Sequence, residues 1–132
     1  MINFIKKIYS FFKYPCLLPC EVGLALGFKS LSFESFEVFL LQLISREGHG
    51  SRLKKFMPRE RAESLFLSAE KREIFRNESL FSFQFSSSWL GVSLQFDDAN
   101  LLRRAYLMHE RVPEGQVELT LQNLSKKAPA SL

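Results

Sequence analysis

The side chains best suited to metal binding or nucleophilic catalysis in this sequence are two cysteines and two histidines. Cys16 and Cys20 are separated by three residues, and neither His49 nor His109 stands beside them in a zinc-ligand spacing. A structural zinc site needs four converging ligands, so we predict neither a metal site nor a cofactor. A catalytic base at His49 would need a nucleophile or a carboxylate at a recognisable spacing, which the sequence lacks. We therefore predict that the protein is not an enzyme and that both cysteines are small buried residues on a loop.

A cluster of basic residues is the second group that could do chemistry. Six basic residues fall between positions 46 and 61, against two glutamates. Such a cluster could contact the phosphates of RNA or of lipid headgroups. A solvated loop that leads into a helix is the alternative, since neither interleaved aromatic residues nor a known nucleic-acid motif favours RNA. The candidate phosphate or headgroup contacts are Arg46, Arg52, Lys54, Lys55, Arg59 and Arg61.

The start of the chain carries a clear amphipathic pattern. At about 100° per residue, the seven large apolar side chains of residues 2–13 fall in one half of a helical wheel, opposite the polar ones. Pro15 ends this predicted helix because it lacks a backbone N–H. A helix this short forms only if its apolar face docks on the rest of the chain, on a partner or on a membrane. The predicted docking residues are Ile2, Phe4, Ile5, Lys6, Lys7, Ile8, Tyr9, Phe11, Phe12 and Lys13.

Two further helices are predicted before residue 77. Residues 33–44 are apolar on nearly all sides, which indicates a helix buried at the centre of the core. A third helix begins at Pro58, whose fixed φ suits a first helical turn, and it extends to about residue 73. Residues 21–32 contain two glycines and fit either a short helix or a buried loop. The apolar stripe of the third helix, at spacings of three and four residues, consists of Ala62, Leu65, Phe66 and Ala69.

After Asn77 the apolar residues alternate with polar ones, which is the period of a half-buried strand. Turn residues separate the alternating segments, and Ile74 with Phe75 could add a short edge strand. Trp89 follows a turn of serines, and we expect it to close the end of the core. The predicted strands cover residues 80–85, 90–96, 102–110 and 117–121.

These elements predict an α+β fold in which three N-terminal helices pack on one face of a four-stranded antiparallel C-terminal meander. Residues 1–14 would form the amphipathic helix, residues 15–124 a single domain and residues 125–132 a frayed tail. An antiparallel sheet with one apolar face needs helices on one side only, and the three helices supply that cover.

Composition limits the class of protein. Hydrophobic residues make up 46% and charged residues 24% of the 132 residues, which excludes a wholly disordered chain and a multi-span membrane protein. No run approaches the roughly 20 apolar residues that cross a bilayer. The net charge of +4 favours acidic over cationic partners. We expect the cytoplasm or the interior of an organelle, with a peripheral membrane position as an option, and no secretion.

The leading hypothesis is a small non-enzymatic interaction module (an adaptor, accessory or assembly subunit) that docks through its N-terminal helix on a larger complex or a membrane face. A protein partner is favoured over a membrane surface and over nucleic acid. One alternative is a cone-shaped α+β domain that binds a small ligand or is an enzyme, with a pocket under the sheet. A second alternative is an RNA-binding accessory protein. The polar groups proposed for the pocket are Asp97, Arg104, Tyr106 and His109.

Overall fold

The structure, a computed structural model, describes residues 16–46, 48, 50–85 and 88–124. The predicted amphipathic helix at residues 2–13, with all its docking residues, lies outside the described part of the chain. The predicted tail at 125–132 and His49 lie outside it as well. The fold is therefore described from Cys16 onward.

Three short helices alternate with short strands in the first half of the described chain. Their bounds are β1 Cys16–Leu17, α1 Cys20–Leu26, β2 Ser32–Phe33, α2 Phe36–Ser45, β3 Lys54–Lys55 and α3 Arg59–Glu63, which continues into a 3₁₀ turn at Ser64–Phe66. The Ser35 hydroxyl accepts a hydrogen bond from the Val38 N–H at 3.2 Å, so α2 begins three residues later than predicted. Within the described residues, no helix has the length and apolar content that crossing a bilayer requires.

A five-stranded antiparallel sheet dominates the second half of the described chain. Its strands are β4 Lys71–Ile74, β5 Glu78–Phe85, β6 Ser88–Phe96, β7 Leu102–Met108 and β8 Gln116–Glu118. Each strand pairs with the next one along the chain, so the spatial order follows the sequence order. Two smaller ladders complete the fold: β1 pairs antiparallel with β2, and β3 pairs in parallel with β9 (Gln122–Asn123).

The fold is α+β, but the predicted arrangement is wrong. The sheet has five strands rather than four, and the short helices are interspersed with small strands rather than grouped as an N-terminal layer. The predicted third helix ends in the 3₁₀ turn, and residues 71–74 instead pair with Ser79–Ser82 of β5. All four residues of β4 are exposed, so no apolar stripe holds this segment on the core as a helix. Backbone pairing with β5 decides its conformation instead.

Aromatic rings fill the space over the buried face of the sheet. Phe81, Phe83 and Phe85 alternate along β5, and each is at most 7% exposed. The ring of Phe66, in the 3₁₀ turn, lies 5.3 Å from that of Phe81 and 6.3 Å from that of Phe83. The ring of Phe36 in α2 lies 5.5 Å from that of Phe85. These contacts tie the helical half of the chain to the sheet through buried apolar area.

The expected position of Trp89, at the closed end of the core, is wrong. Trp89 is opposite Gln84 in the ladder of β5 and β6, on the other face of the sheet, and it is 50% exposed. Successive residues of a strand point to opposite faces, so the buried positions of this hairpin fall to Phe85 and Leu90.

Candidate anion-binding groove

Three of the six predicted phosphate contacts line one groove on the surface. Arg52, Lys54 and Arg61 come from three successive parts of the chain, and the groove that they share has a volume of about 470 Å³. Among the described residues that line it there is no aspartate or glutamate. The remaining lining residues are Met57, Leu65, Gln122, Asn123 and Leu124.

The backbone of the fold brings the three cationic residues to one side of the domain. The Arg52 N–H donates to the Ala25 carbonyl at 2.9 Å, which anchors this residue beside the end of α1. Lys54 lies in β3, and its Nζ donates to Oε1 of Gln122 in the neighbouring strand at 3.1 Å. Arg61 belongs to α3. The parallel pairing of β3 with β9 therefore brings residues from the end of the described chain to the basic segment.

The floor of the groove is apolar. Met57 is only 2% exposed, and its sulfur accepts a hydrogen bond from the Lys54 N–H at 3.2 Å. Leu65 and Leu124 are half-buried and pack against the core. The Leu124 N–H donates to the Lys55 carbonyl at 2.9 Å, which holds the end of the described chain in place. The groove thus combines an apolar floor with cationic sides, which suits an anion that carries an apolar group.

The charges of Arg52 and Arg61 are not neutralised within the described part of the chain. The ion pairs found there join other residues: Arg59 with Glu63, Lys71 with Glu73, Arg103 with Asp97, and Arg111 with Glu37. A groove with three cations and no carboxylate among its lining residues has a positive potential that attracts anions.

Arg46, by contrast, caps the C-terminus of α1. Its guanidinium group donates to the carbonyls of Leu26 at 2.7 Å and Gly27 at 3.2 Å, and it lies 4.4 Å from the centre of the Phe28 ring. These carbonyls are at the C-terminus of α1, where a cation is favoured. Gly27 has a φ of +80°, and a Cβ there would collide with the Gly50 carbonyl.

Arg59 is a structural side chain as well. Its guanidinium group donates to the carbonyls of Phe75 and Arg76, to the Ser79 hydroxyl and to a Glu63 carboxylate oxygen. It also lies 4.7 Å from the centre of the Phe96 ring, and only 13% of its side chain is exposed. Arg59 therefore connects α3 to the turn between β4 and β5 rather than to a ligand.

Lys55 lines a different groove. Adjacent residues of a strand point to opposite sides, so Lys54 and Lys55 diverge. The Lys55 Nζ lies 5.3 Å from the centre of the Phe56 ring, and this second groove, of about 420 Å³, also contains Arg103 and Glu118. Its carboxylate makes it a weaker candidate for an anion.

The four polar groups proposed for a pocket under the sheet do not come together. Asp97 accepts hydrogen bonds from the Leu101 N–H at 3.0 Å and from Arg103 Nε at 2.7 Å, and these bonds hold the Asp97 pKa below its ordinary value. It belongs to the turn that joins β6 to β7. Arg104 and Tyr106 lie on the sheet face opposite the buried rings, whereas His109 lies among those rings. The space that such a pocket would need is occupied by the aromatic core described above.

Of the two cysteines, one lies in the core and one on α1. Cys16 is buried, and burial raises the pKa of its thiol to about 11, with a smaller contribution from Glu37. Cys20 is exposed at the start of α1, so the prediction of two buried loop cysteines is wrong for this residue. Neither is in a disulfide. Within the described ranges, no group of three or more histidine, cysteine, aspartate or glutamate side chains converges as a metal site would require.

His109 is a buried histidine whose surroundings disfavour its charged form. It is 6% exposed, and the centres of the Phe36 and Phe85 rings lie 4.3 Å and 5.4 Å from that of its imidazole. Its Nδ1 accepts a hydrogen bond from the Arg111 N–H at 3.1 Å, and Nε2 is buried with no hydrogen-bond partner among the described residues. Burial is the main cause that lowers the pKa of His109.

We expect this histidine to make folding stability depend on pH. In the unfolded chain His109 titrates near its ordinary pKa of about 6.5, but in the folded protein it titrates lower, so the unfolded state binds more protons between the two values. The free energy of unfolding should therefore fall as the pH falls from about 7 through the folded pKa, and this contribution levels off below it. Urea denaturation at several pH values measures the effect, and His109→Phe should flatten it. An equally steep pH dependence in the variant would contradict the assignment.

Comparisons with models of protein families, with curated proteins and with solved structures found no match for this chain. The fold and the groove define an α+β domain with a cationic groove that no described carboxylate neutralises.

Proposed function

We propose that the protein is a small non-enzymatic interaction module, an adaptor, accessory or assembly subunit, that docks through the amphipathic helix at residues 2–13. The observation that carries this proposal is that the described domain fills its own aromatic core. The rings of Phe28, Phe33 and Phe39 lie 5.2 to 5.5 Å from one another, and Phe36 links Phe39 to the sheet. Because the described residues already bury an aromatic cluster of their own, we infer that the apolar face of residues 2–13 serves to bind a larger complex or a membrane face.

Exposed apolar side chains on α2 support the same proposal. Leu41 is 69% exposed and Ile44 is 63% exposed, and their spacing of three residues puts them on one face of the helix. Large apolar side chains that stay in water at adjacent positions are typical of surfaces that meet a partner.

The two alternatives have unequal support. A ligand pocket under the sheet has little, because the rings of Phe81, Phe83 and Phe85 pack against other rings. RNA binding is favoured by the three cations of the groove, but its described lining residues offer no ring on which a base could stack. The unpaired thiols of Cys16 and Cys20 fit a reducing compartment, either the cytoplasm or the interior of an organelle.

Substitutions in the N-terminal segment of the full chain test the proposal. Ile5→Asp with Ile8→Asp places two charges in the apolar face, and Lys6→Gln with Lys7→Gln is a control on the polar face. The apolar variant should stop retaining co-purifying proteins or sedimenting with vesicles of phosphatidylserine and phosphatidylcholine. Its free energy of unfolding should change by less than about 0.5 kcal/mol, as for a substitution outside the core.

Two results would overturn this function. If the apolar variant unfolds without a cooperative transition, the N-terminal helix belongs to the core of the same chain. If the apolar variant docks as well as the wild type, the helix is not the docking element. The control variant should dock through its intact apolar face, losing at most about 1 kcal/mol per lysine on an anionic membrane.

A further inference from the structure

We propose that the groove of Arg52, Lys54 and Arg61 is a second docking site, which binds an acidic peptide segment of a partner protein and holds an apolar side chain of that segment on its floor. This inference rests on the proposed function, because it requires a protein partner, and it adds the chemistry that the partner must have.

Charge complementarity is the first argument for an acidic segment. The groove contains three cations, two side-chain amides and no carboxylate among its lining residues. Arg52 and Arg61 form no ion pair with any described residue, and the Nζ of Lys54 is held by the Gln122 amide rather than by an acid. Guanidinium groups bind carboxylates through two parallel hydrogen bonds, so glutamate and aspartate side chains are suitable ligands.

The apolar floor is the second argument. Leu65 and Leu124 are half-buried beside the buried Met57, so part of the lining is hydrocarbon still in contact with water. A purely ionic ligand such as inorganic phosphate would leave this apolar surface exposed to water. A peptide that carries a leucine or phenylalanine between acidic residues would cover it.

The two segments that flank the described residues have the wrong charge for this groove. Residues 1–15 contain three lysines and residues 125–132 contain two, and neither segment contains an aspartate or a glutamate. Both segments would therefore be repelled by the groove rather than attracted to it. We therefore assign the acidic segment to a partner protein rather than to residues 1–15 or 125–132.

Neither RNA nor a membrane fits the groove as well as a peptide does. No aromatic side chain is found among the described residues that line the groove, so these residues offer unstacked bases no ring to stack on. A bilayer presents a flat surface to a protein, whereas this groove is a concave space of about 470 Å³. An extended peptide can place one side chain on such a recessed floor while its neighbours contact the cations at the sides.

The test compares two triple variants of the full chain by fluorescence anisotropy. The probe is a labelled synthetic peptide that repeats Glu-Glu-Leu, and an all-glutamate peptide of equal charge is the reference. Replacing Arg52, Lys54 and Arg61 by glutamine should weaken binding of the Glu-Glu-Leu peptide by at least about tenfold. The matched control removes the same charge from the exposed β4 region, and we expect it to weaken binding of the Glu-Glu-Leu peptide by less than about twofold. The control substitutions are Lys71→Gln, Arg72→Gln and Arg76→Gln.

A substitution in the floor separates the apolar contact from the charge. Leu124→Ser should abolish the preference for the Glu-Glu-Leu peptide over the all-glutamate peptide and leave the affinity for the latter unchanged. In the wild type, amide chemical shifts in nuclear magnetic resonance spectra should change around residues 52–65 and 122–124 when the peptide is added.

Each contrary result overturns the inference. Equal losses in both triple variants would mean that the peptide senses only net charge. If the groove variant lost affinity for a uridine oligonucleotide or for phosphatidylserine vesicles while its affinity for the peptide stayed unchanged, the groove would be assigned to RNA or to a membrane. If the groove does not bind the peptide, the N-terminal helix can still retain its partner. If the N-terminal helix does not dock, the groove can still bind the peptide in the titration. The two experiments therefore test the groove and the proposed function separately.

Discussion

Replacing Arg59 by glutamine should lower the free energy of unfolding by about 2–4 kcal/mol, because its charge is paired and largely buried. The guanidinium group donates hydrogen bonds to the Glu63 carboxylate, to the Ser79 hydroxyl and to two carbonyls of the turn after β4. Without it, the Glu63 carboxylate loses its cation beside Ser79, which is fully buried. Urea denaturation followed by circular dichroism measures the change.

The control for this prediction lies two residues further on in the same helix. Arg61→Gln removes the same charge from an exposed side chain that forms no ion pair with the described residues. Its effect on the free energy of unfolding should stay within about 0.5 kcal/mol. Similar losses in the two variants would show that Arg59 has no special structural role.

Replacing Phe39 by alanine should lower the free energy of unfolding by about 3–5 kcal/mol. Phe39 has no exposed surface, and its ring packs against those of Phe28, Phe33 and Phe36 at 5.2 to 5.6 Å. Alanine would remove the ring from the middle of this cluster and leave a cavity that the neighbouring rings cannot fill without moving. The midpoint of thermal unfolding and the urea denaturation curve both report the loss.

Leu41→Ala is the matched control on the same helix, since Leu41 is 69% exposed. It should change stability by less than about 0.5 kcal/mol, as surface substitutions do. A loss of several kcal/mol at Leu41 would mean that this side chain is covered, and would also remove the support that it gives to the proposed docking function.

Local sequence patterns predicted the strands of the sheet better than its edges. The alternation from Leu80 to Phe96 places β5 and β6 correctly to within two residues, because a half-buried strand must alternate. A short edge strand was predicted only at Ile74 and Phe75, whereas β4 covers Lys71–Ile74, because the exposed side chains of Lys71, Arg72 and Glu73 carry no alternating apolar signal. Trp89 was expected to close the end of the core after the serine turn, but it is a residue of β6 opposite Gln84 and lies on the exposed face, because neighbouring strand residues point to opposite faces.

The basic residues at positions 46–61 likewise show what the sequence predicts and what it leaves to the fold. The composition of this segment indicated cations near a possible anion, but Arg46 and Arg59 donate instead to carbonyls that come from elsewhere in the fold. One local signal indicates a structural role for Arg59: Glu63 follows it by four residues, which is the spacing of an ion pair within a helix. No local signal marked Gln122 or Leu124 as part of the groove.

The sequence by itself determined the number of cations, the alternating strands and the aromatic residues of the core, because these depend on residue type and on a period of two to four residues. The tertiary structure alone decided which cations share a groove and which become structural. Lys54 meets Gln122 only because β3 pairs in parallel with β9 across most of the described chain. A pairing between such distant segments depends on how the whole core packs, and no local period records it.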